Sequence, residues 1–477
     1  MPRRLKSFLR LPNHGATVGV RIPLRLHPNN FSMPLPDLIE IVPIDKPVRA
    51  EITVPGSKSI TNRALILAAL ADGEVTLKGA LWSEDTQIMV ECLQKLGFEV
   101  RVENDPEEFC NRTITVKGLG GKIPNAGTVE KPLELFVGNA GTATRFLSAL
   151  ACLGNGVYRL SGVPRMHERP QAALFQSLRE LGYRVEAEKD NDKLPVKIFG
   201  EGTKKGKCRV SIEESSQFAS ALLLCAKFGN WDIEVVGENQ EESPYVEMTR
   251  QMCSYGLALR PQFEGVQLDA SSASYFWAAK WISDSLSNSG TQSIGVKNWI
   301  VFRIRQIDSD FPRIFSQIFN PQEKKIAISR KSELGDSIMT AIVMVPLADH
   351  LMQFTHLSPL RLQECERVVA LRTELTKCGA KVVEEGDTLT VYPSKPEQLH
   401  GAEIETYNDH RMAMCFAILG LKVSGIKIKN PACVKKTFPN FFQKLAAQPP
   451  HGLGTEIWEI KNGQRTRKLS GDDLFAD

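Results

Sequence analysis

The chain repeats one pattern of apolar and polar residues six times. In each copy a short, half-buried strand gives way to small and polar residues that can cap a helix, and an apolar run with helical spacing follows. In the first copy, Ile52 and Val54 precede the polar residues 55–63. The other five polar stretches are residues 138–145, 213–220, 269–274, 335–340 and 408–412. We predict that a helix begins inside each of these stretches.

A second pattern alternates with the first. A helical run ends at a glycine and a strand of alternating apolar and polar residues follows, as in residues 93–100, 178–185 and 375–382. Glycine after the last helical turn adopts the left-handed conformation that closes many helices. Together the two patterns predict repeated units of strands and two helices, and therefore an α/β fold. Unequal spacings favour two closed domains of three units over an elongated solenoid, with the polar helix starts facing a shared cleft.

Composition excludes several classes of function. A length of 477 residues predicts two or three domains, and a net charge of +4 gives no support for binding to nucleic acid. No apolar run approaches the about 20 residues that a membrane span needs. The ten cysteines are scattered singly, without the spacing of metal ligands. We therefore expect a reducing compartment, no structural zinc, no membrane partner and no nucleic-acid partner.

The two ends of the chain differ from the middle. The first 36 residues carry six Arg or Lys residues and no acid before Asp37. A transit peptide is also basic but should be rich in serine, and only Ser7 and Ser32 occur here. A disordered extension over residues 1–36, or an upstream-extended gene model, is therefore favoured over a plastid-type transit peptide. Residues 448–477, rich in Pro, Gly and charge, predict a loosely packed C-terminal extension.

Cations and hydroxyls gather at the predicted helix starts. The first start carries Lys58 and Arg63, and helix N-termini attract anions through their unpaired N–H groups and dipole. Taken singly, each cation is typical of a solvated surface, and the spacing around Lys58 is not that of a nucleotide-binding P-loop. Jointly the cations predict a site for a multiply anionic substrate. Asp336 and Glu364 lie among them and are candidates for proton transfer.

Ordered motifs throughout the chain resemble those of the enolpyruvyl transferase family, especially of its members that act on shikimate 3-phosphate. The resemblance extends from about residue 37 to about residue 446. The motifs are Pro-Gly-Ser-Lys-Ser at 55–59 with Asn62-Arg63, Gly-Asn-Ala-Gly-Thr-Ala at 138–143, Arg165-Met166 with Glu-Arg-Pro at 168–170, Ser-Ser-Gln at 215–217, Asp-Ala-Ser-Ser-Ala at 269–273, Asn-Asp-His-Arg-Met-Ala-Met at 408–414 and Lys-Thr-Phe-Pro at 436–439.

The resemblance implies a fold of two similar domains, each of three βαβαββ units, with a cleft between them. Two segments of the chain would cross between the domains, near Gly56 and near Val266. The first domain would then comprise residues 37–56 and 267–447, and the second would comprise residues 57–266.

The resemblance also implies a reaction. Members of the family transfer the enolpyruvyl group of phosphoenolpyruvate to the 5-hydroxyl of shikimate 3-phosphate and release phosphate through a tetrahedral intermediate. This step belongs to the shikimate pathway of aromatic amino acid biosynthesis. The family uses no metal and no organic cofactor, and we expect a cytoplasmic monomer.

Site residues follow from the motif matches. Lys58, Asp336 and Glu364 would be catalytic, with Asp336 taking the proton of the attacking hydroxyl and Glu364 near the methylene carbon. The residues implied for shikimate 3-phosphate are Lys58, Ser59, Arg63, Ser215, Ser216, Gln217, Asp336 and Gln363. Those implied for phosphoenolpyruvate are Lys58, Gly141, Arg169, Gln217, Arg367, Arg411 and Lys436, with Asn139 and Thr142 as further candidates.

The chain departs from the family pattern at several positions. Where the family usually has Asn-x-Arg-x-Lys-Glu, this chain has Pro359, Arg361 and Gln363. Gln363 can donate a hydrogen bond but supplies no charge, so contacts to shikimate 3-phosphate there should be weaker or rearranged. Glu242 stands where the family has a serine, Phe146 replaces a common proline, and the region 309–335 is shorter than usual.

Three alternatives compete with this interpretation. The related transferase acting on UDP-N-acetylglucosamine usually has a loop cysteine, but no cysteine lies between Cys152 and Cys208. RNA 3'-phosphate cyclase shares part of the architecture but lacks these motifs. A non-catalytic binding protein, or a transferase of altered specificity, stays open because of Pro359 and Gln363.

Overall fold

The computed structural model describes residues 35–189, 191–237, 243–254, 262–263, 265–287, 294–299, 304–320 and 326–476. The predicted N-terminal extension lies outside these ranges, except for its last two residues. Glu242, where the chain departs from the family pattern, also lies outside them. Both stay predictions.

Short strands occur along the whole described chain. In order they are β1 (Leu38–Ile41), β2 (Ala50–Ile52), β3 (Asp72–Leu81), β4 (Val100–Asn104), β5 (Asn111–Leu119), β6 (Leu133–Phe136), β7 (Asn155–Ser161), β8 (Arg184–Ala187), β9 (Val196–Glu201), β10 (Gly206–Ser211), β11 (Trp231–Val236), β12 (Gln262–Phe263), β13 (Ile294–Val296), β14 (Ala327–Ser329), β15 (Met352–Thr355), β16 (Val382–Glu385), β17 (Thr388–Val391), β18 (Glu403–Ile404), β19 (Lys427–Lys429), β20 (Ile457–Lys461) and β21 (Gln464–Leu469).

Helices alternate with these strands. They are α1 (Lys58–Leu70), α2 (Glu84–Lys95), α3 (Gly141–Cys152), α4 (Pro164–Glu168), α5 (Ala172–Glu180), α6 (Ser216–Gly229), α7 (Ser243–Ser254), α8 (Ala270–Asp284), α9 (Phe311–Ile318), α10 (Ile338–Met344), α11 (Arg367–Lys377), α12 (His410–Gly420) and α13 (Phe441–Ala446). Short 3₁₀ helices cover Ile307–Asp310, Val345–Leu347, Ser358–Leu362, Pro431–Lys436 and Gly471–Leu474. Within the described ranges, no helix is long and apolar enough to cross a membrane.

The predicted helix starts are confirmed. Helices α1, α3, α6, α8, α10 and α12 each begin inside one of the six polar stretches. Three of them have the expected side-chain cap, because Ser215, Asp269 and Asp409 accept hydrogen bonds from backbone N–H groups of the first turn. The glycine closures are confirmed as well, since Gly97 and Gly182 have φ of +94° and +87°.

The sheets repeat one topology. Three four-stranded sheets have the orders β6-β7-β9-β8, β14-β15-β17-β16 and β12-β3-β5-β4. In each sheet the first pair is parallel and the other two pairs are antiparallel. A fourth sheet, β18-β19-β1-β20-β21, begins with the same parallel pair followed by antiparallel neighbours. A parallel pair needs a crossover connection, which the helices supply. The predicted α/β class with βαβαββ units is confirmed.

Buried apolar side chains form two separate cores. One contains residues from both ends of the described chain, such as Ile39 and Phe416. The other is built almost entirely from residues 60–266, such as Leu65 and Phe218.

The chain passes between the two cores at two neighbouring segments. Gly56 forms a β-bridge with Leu268, and the backbone N–H of Ser57 donates to the carbonyl of Gln267 at 2.8 Å. A Cβ on Gly56 would lie 2.0 Å from the carbonyl oxygen of Gly79, so only glycine allows this close approach.

The prediction of a loosely packed C-terminal extension is wrong. Strand β20 pairs with β1, and β21 pairs with β20, so the segment extends a central sheet. Leu469, Leu474 and Ala476 are buried in the first core. The turn is Asn462-Gly463, with φ of 51° and 78°. Such a dipeptide is a strong hairpin signal, here hidden among charged residues.

Between α9 and β14 the described residues contain no further strand. That the region 309–335 is shorter than usual in the family stays a prediction.

We expect Ile457→Ala to lower the free energy of unfolding by about 2–4 kcal/mol, because it removes a fully buried side chain from β20. Denaturant unfolding would measure the change. Gln464→Ala, at the exposed start of β21, is the control and should change stability by less than about 0.5 kcal/mol. Equal, small effects of the two substitutions would contradict the packing described for this hairpin.

Candidate active site

One cleft brings most of the predicted site residues together. Helix starts from both cores face it, so the prediction of a shared cleft agrees with the structure. The predicted residues that line it are Lys58, Ser59, Arg63, Thr142, Arg169, Ser215, Ser216, Gln217, Asp336, Gln363, Glu364, Arg367 and Arg411. Gly141, Asn139 and Lys436 lie immediately behind this lining and contact it.

The start of α1 places Lys58 at the cleft. Its Nζ lies 3.1 Å from Oδ2 of Asp85, a buried residue in the first turn of α2. The lysine side chain keeps one fifth of its surface exposed, so it remains accessible from the cleft. The sequence indicated Lys58 but not its carboxylate partner.

Arg63 is held by hydroxyls and backbone carbonyls. Its Nε donates to Thr249 at 2.7 Å, and its Nη2 donates to Ser220 at 3.0 Å. Phe146 lies beneath the guanidinium, with 5.4 Å between the ring centroid and Cζ. Phe146, one of the departures from the family pattern, does not line the cleft. It supports the Arg63 guanidinium from below.

The start of α6 presents hydroxyls and an amide. Ser215 caps the helix by accepting a hydrogen bond from the backbone N–H of Gln217 at 3.2 Å. The side-chain oxygen of Gln217 accepts from Arg145 at 3.5 Å. This cap fixes the direction in which the first turn of α6, with Ser216, faces the cleft.

Two arginines form a cationic pair around Gly141. A Cβ on Gly141 would lie 2.2 Å from Nη1 of Arg145 and 3.0 Å from Cζ of Arg169. Among the described residues, no carboxylate forms an ion pair with either arginine. Burial lowers the pKa of Arg145 well below its ordinary value, and the charge of Arg169 adds to this effect. Such a pair is suited to a bound anion.

Arg145 is a residue that the sequence analysis missed as a site residue. It lies inside the quoted helix-start stretch at 138–145 but has no motif of its own. Only its burial and its position beside Arg169 identify it as part of the cleft lining.

Asp336 lies before α10 and faces three arginines. Its carboxylate oxygens are 3.1 Å from Arg411, 3.5 Å from Arg367 and 3.6 Å from Arg330. Burial alone would raise the pKa of Asp336, but the three guanidinium groups together lower the pKa below its ordinary range. The carboxylate is therefore ionised at neutral pH and available to accept a proton.

Glu364 forms a second ion-pair centre. Its carboxylate lies 2.9 Å from Arg367 and 3.0 Å from Nζ of Lys436. Although burial would raise the pKa of Glu364, Lys436 and Arg367 lower it well below the ordinary value. Arg367 thus joins the two predicted catalytic carboxylates through one guanidinium group.

Asp409 and Ser271 anchor the arginines from behind. Asp409, fully buried, accepts from Nε of Arg367 at 2.7 Å and caps α12. Ser271 accepts from Arg411 at 3.0 Å. The sequence placed both anchors inside motifs but gave no signal for these contacts.

His410, Arg330 and Asp308 line the same cleft and were not among the predicted site residues. Burial lowers the pKa of His410 well below its ordinary value, and Arg411 adds to this, so the ring is neutral. Asp308 accepts hydrogen bonds from the backbone N–H groups of Gly335 and Ser337 at 2.8 and 3.2 Å. It therefore fixes the backbone on both sides of Asp336.

This arrangement can bind anions and move protons. Fixed cations can hold phosphate and carboxylate groups, and two ionised carboxylates lie among them. An anionic ligand that takes the arginines away from a carboxylate would raise that carboxylate's pKa. No group of His, Cys, Asp and Glu residues that could hold a metal ion occurs among the described residues.

Comparisons with known proteins agree on one family. The family model described as EPSP synthase (3-phosphoshikimate 1-carboxyvinyltransferase) matches residues 42–256 and 259–445. A 3-phosphoshikimate 1-carboxyvinyltransferase of Opitutus terrae is 38% identical over 440 residues, which are 87% of this chain and 98% of that protein. The enzyme of the same name from Trichormus variabilis is 35% identical over 438 residues, covering 86% of this chain and 98% of that one.

Solved structures support the fold. An EPSP synthase from Acinetobacter baumannii has a TM-score of 0.65 at 20% identity, covering 88% of this chain and 99% of that one.

Asp308 predicts a pH-dependent contribution to stability. Burial raises its pKa to about 6, and Asp336 adds to the rise against the lowering effect of a hydrogen bond from Ser337. The folded state therefore binds a proton that the unfolded state has already released, and stability from this group is gained as pH falls. Between about pH 7.5 and about pH 4.5, the free energy of unfolding of the wild type relative to Asp308→Asn should rise by about 2 kcal/mol.

Denaturant unfolding of both proteins at each pH measures this difference. Asp232→Asn makes the same substitution at an exposed carboxylate and is the control for the loss of one charge. A difference between wild type and Asp308→Asn that is constant with pH, or that falls as pH falls, would contradict the prediction.

Proposed function

The chain belongs to the EPSP synthase (3-phosphoshikimate 1-carboxyvinyltransferase) family, and from this premise we propose how its cleft carries out that reaction. The enolpyruvyl group of phosphoenolpyruvate is transferred to the 5-hydroxyl of shikimate 3-phosphate, and phosphate is released. The observation that carries the proposal is the pairing of Arg367 with both Asp336 and Glu364 inside one cationic cleft. This pairing puts a base and an acid on either side of a group that can bind an anion.

We propose that the two substrates occupy different parts of the cleft. Shikimate 3-phosphate binds to Lys58, Ser59, Arg63, Ser215, Ser216, Gln217, Asp336 and Gln363. Phosphoenolpyruvate binds to Lys58, Gly141, Arg169, Gln217, Arg367, Arg411 and Lys436, with Asn139 and Thr142 nearby. The buried Arg145 and the partly buried Arg169 lie around Gly141 and support an anion subsite there, and we add Arg145 to the second group.

The addition step forms the new C–O bond. The 5-hydroxyl oxygen attacks C2 of phosphoenolpyruvate, Asp336 accepts the hydroxyl proton, and Glu364 gives a proton to the methylene carbon. Fixed cations stabilise the charge that develops. Glu364 must first be protonated, and a bound anion that engages Lys436 and Arg367 favours this by raising its pKa.

The elimination step reverses the proton transfer from Glu364 to the methylene carbon. The bond between C2 and the phosphate oxygen breaks, the methyl carbon returns its proton to Glu364, and phosphate leaves with the bonding electron pair. The proton that Asp336 took from the hydroxyl passes to the departing phosphate, so the products are the enolpyruvyl ether and hydrogen phosphate, and Asp336 is again ionised.

The domain division is part of the proposal. We propose a first domain of residues 37–56 with 267–447 and a second of residues 57–266, supported by the two separate cores. The hairpin β20–β21 packs on the first core, so we extend that domain to residue 476. Closure of the two domains on the substrates would exclude water.

We also propose a monomer in the cytoplasm. Ten cysteines without a disulfide are usual in a reducing compartment. Light scattering should give a mass of 53.0 kDa.

The activity is tested by phosphate release from phosphoenolpyruvate. Release is expected only when shikimate 3-phosphate is added, because the hydroxyl attack must precede elimination. Release with UDP-N-acetylglucosamine instead, or without any acceptor, would contradict the proposal. Binding of both ligands without release would identify the non-catalytic alternative.

Lys58→Ala should abolish turnover, because its ammonium group is assigned to both substrates. We expect kcat to fall at least about 10²- to 10³-fold, the range for losing one fixed group that stabilises developing charge. Circular dichroism and unfolding should show an intact fold. Lys95→Ala, at the exposed end of α2, is the matched control and should keep full activity. Full activity of Lys58→Ala would mean that the substrates bind elsewhere.

A further inference from the structure

Two side chains that follow neighbouring parallel strands reach the same carboxylate oxygen. Strands β14 and β15 pair in parallel, with Ser329 opposite Thr355. Arg330 comes directly after β14, and its Nη2 lies 3.6 Å from Oδ1 of Asp336. Gln363 follows β15 through a 3₁₀ turn, and its Nε2 donates to the same Oδ1 at 3.5 Å. The carboxyl ends of parallel strands meet at one sheet edge, which explains why the two side chains converge.

Arg330 is built firmly into the wall of the cleft. Its backbone N–H donates to the carbonyl of Thr355 at 3.1 Å, and the backbone N–H of Glu333 closes the turn by donating to the carbonyl of Ser329. Only 2% of the residue is exposed, and it lines the cleft. Arginine is seldom buried to this degree unless its charge has a specific partner. Inside the cleft, Asp336 is one such partner.

Gln363 joins two charged groups without adding charge. Its side-chain oxygen accepts from Nη1 of Arg367, while its Nε2 donates to Asp336. A lysine at this position would lose the acceptor and would place an ammonium group beside Arg367. Arg330 would face the same ammonium group across Asp336. Like charges so close together are unfavourable.

We infer that Arg330 supplies, from the end of β14, the positive charge beside Asp336 that Gln363 does not supply from the end of β15. Arg330 is then a positioning residue for Asp336 on the acceptor side of the cleft. The rearrangement that the sequence analysis expected at Gln363 is this relocation of the cation. The inference rests on the proposed function, because the acceptor side is defined by the binding of shikimate 3-phosphate.

The relocation has a consequence for the reaction. Phosphoenolpyruvate is assigned to Arg367 and Arg411, so its binding draws two of the three guanidinium groups away from Asp336. Arg330 and Gln363 are not assigned to that substrate. They keep hold of Oδ1 and leave the other oxygen of Asp336 to face the acceptor hydroxyl.

A double-mutant cycle tests the inference on the full-length protein. Wild type, Arg330→Gln, Gln363→Lys and the double variant are compared by phosphate release, with kcat/KM determined for shikimate 3-phosphate and for phosphoenolpyruvate. Arg330→Gln should lower kcat/KM for shikimate 3-phosphate about ten- to a hundredfold, because Asp336 loses one of the opposite charges beside it. Gln363→Lys alone should lower it about tenfold through like-charge repulsion.

The double variant carries the decisive result. It should recover to within about fivefold of the wild type, so that each substitution corrects the other, whereas independent effects would multiply. A purely structural role of Arg330 predicts that adding Gln363→Lys gives no recovery, and this outcome would overturn the inference. If Arg330→Gln does not fold, Arg330→Lys replaces it in the test. Arg330→Lys keeps the positive charge and should keep most of the activity. A loss of kcat/KM as large as the loss caused by Gln363→Lys would overturn the inference.

Controls separate this inference from the proposed function. Arg313→Gln, at an exposed position of α9, should leave all constants unchanged, and thermal unfolding should show similar stability for every variant. An inactive wild type would contradict the proposed function alone. The same four proteins would then be titrated calorimetrically with shikimate 3-phosphate. The same loss and recovery are expected in its affinity, and the absence of recovery would overturn the inference.

Discussion

The guanidinium of Arg367 holds the candidate site together. It is 1% exposed and contacts Asp409 at 2.7 Å, Glu364 at 2.9 Å and Asp336 at 3.5 Å. A buried charge is tolerated only when it is paired, and breaking such a pair costs about 3–5 kcal/mol. Asp409 caps α12, Asp336 precedes α10, and Arg367 begins α11. The ion pairs therefore tie three helix starts to one another, and the fold and the chemistry depend on the same charges.

The same ion pairs couple the charge of the two carboxylates to the cations of the cleft. Asp336 and Glu364 have lowered pKa values because the cations that could bind a substrate are occupied by these carboxylates. An anionic substrate competes for those cations and, in doing so, raises the pKa of each carboxylate. Under the proposed function, substrate binding and the change in the pKa values of the two carboxylates are one event.

The local sequence pattern was sufficient to predict the repeated strands and helices. It was not sufficient to predict the partners of the charged groups. Capping residues, helical spacing and closing glycines lie within a few residues of one another, so the sequence predicted all six helix starts. Arg145, Arg330 and Asp308 depend on contacts between distant segments, and no local pattern encodes them. The C-terminal hairpin is a different case. Its Asn462-Gly463 turn is a local signal for a hairpin. The prolines and charged residues around it are typical of a loose segment, and the prediction followed them.

The repeated topology brings side chains from different strands to the same part of the cleft. Each unit brings the carboxyl end of a parallel strand and the start of a helix to the same sheet edge, so several sequence positions converge on one region of the cleft. Arg330 after β14 and Gln363 in the segment that follows β15 contact the same oxygen of Asp336, and on the inference above the first supplies the charge that the second does not. The interior of a strand offers no such freedom, since alternate side chains there are packed into a core. The total positive charge near Asp336 and its position therefore matter more than which strand supplies that charge.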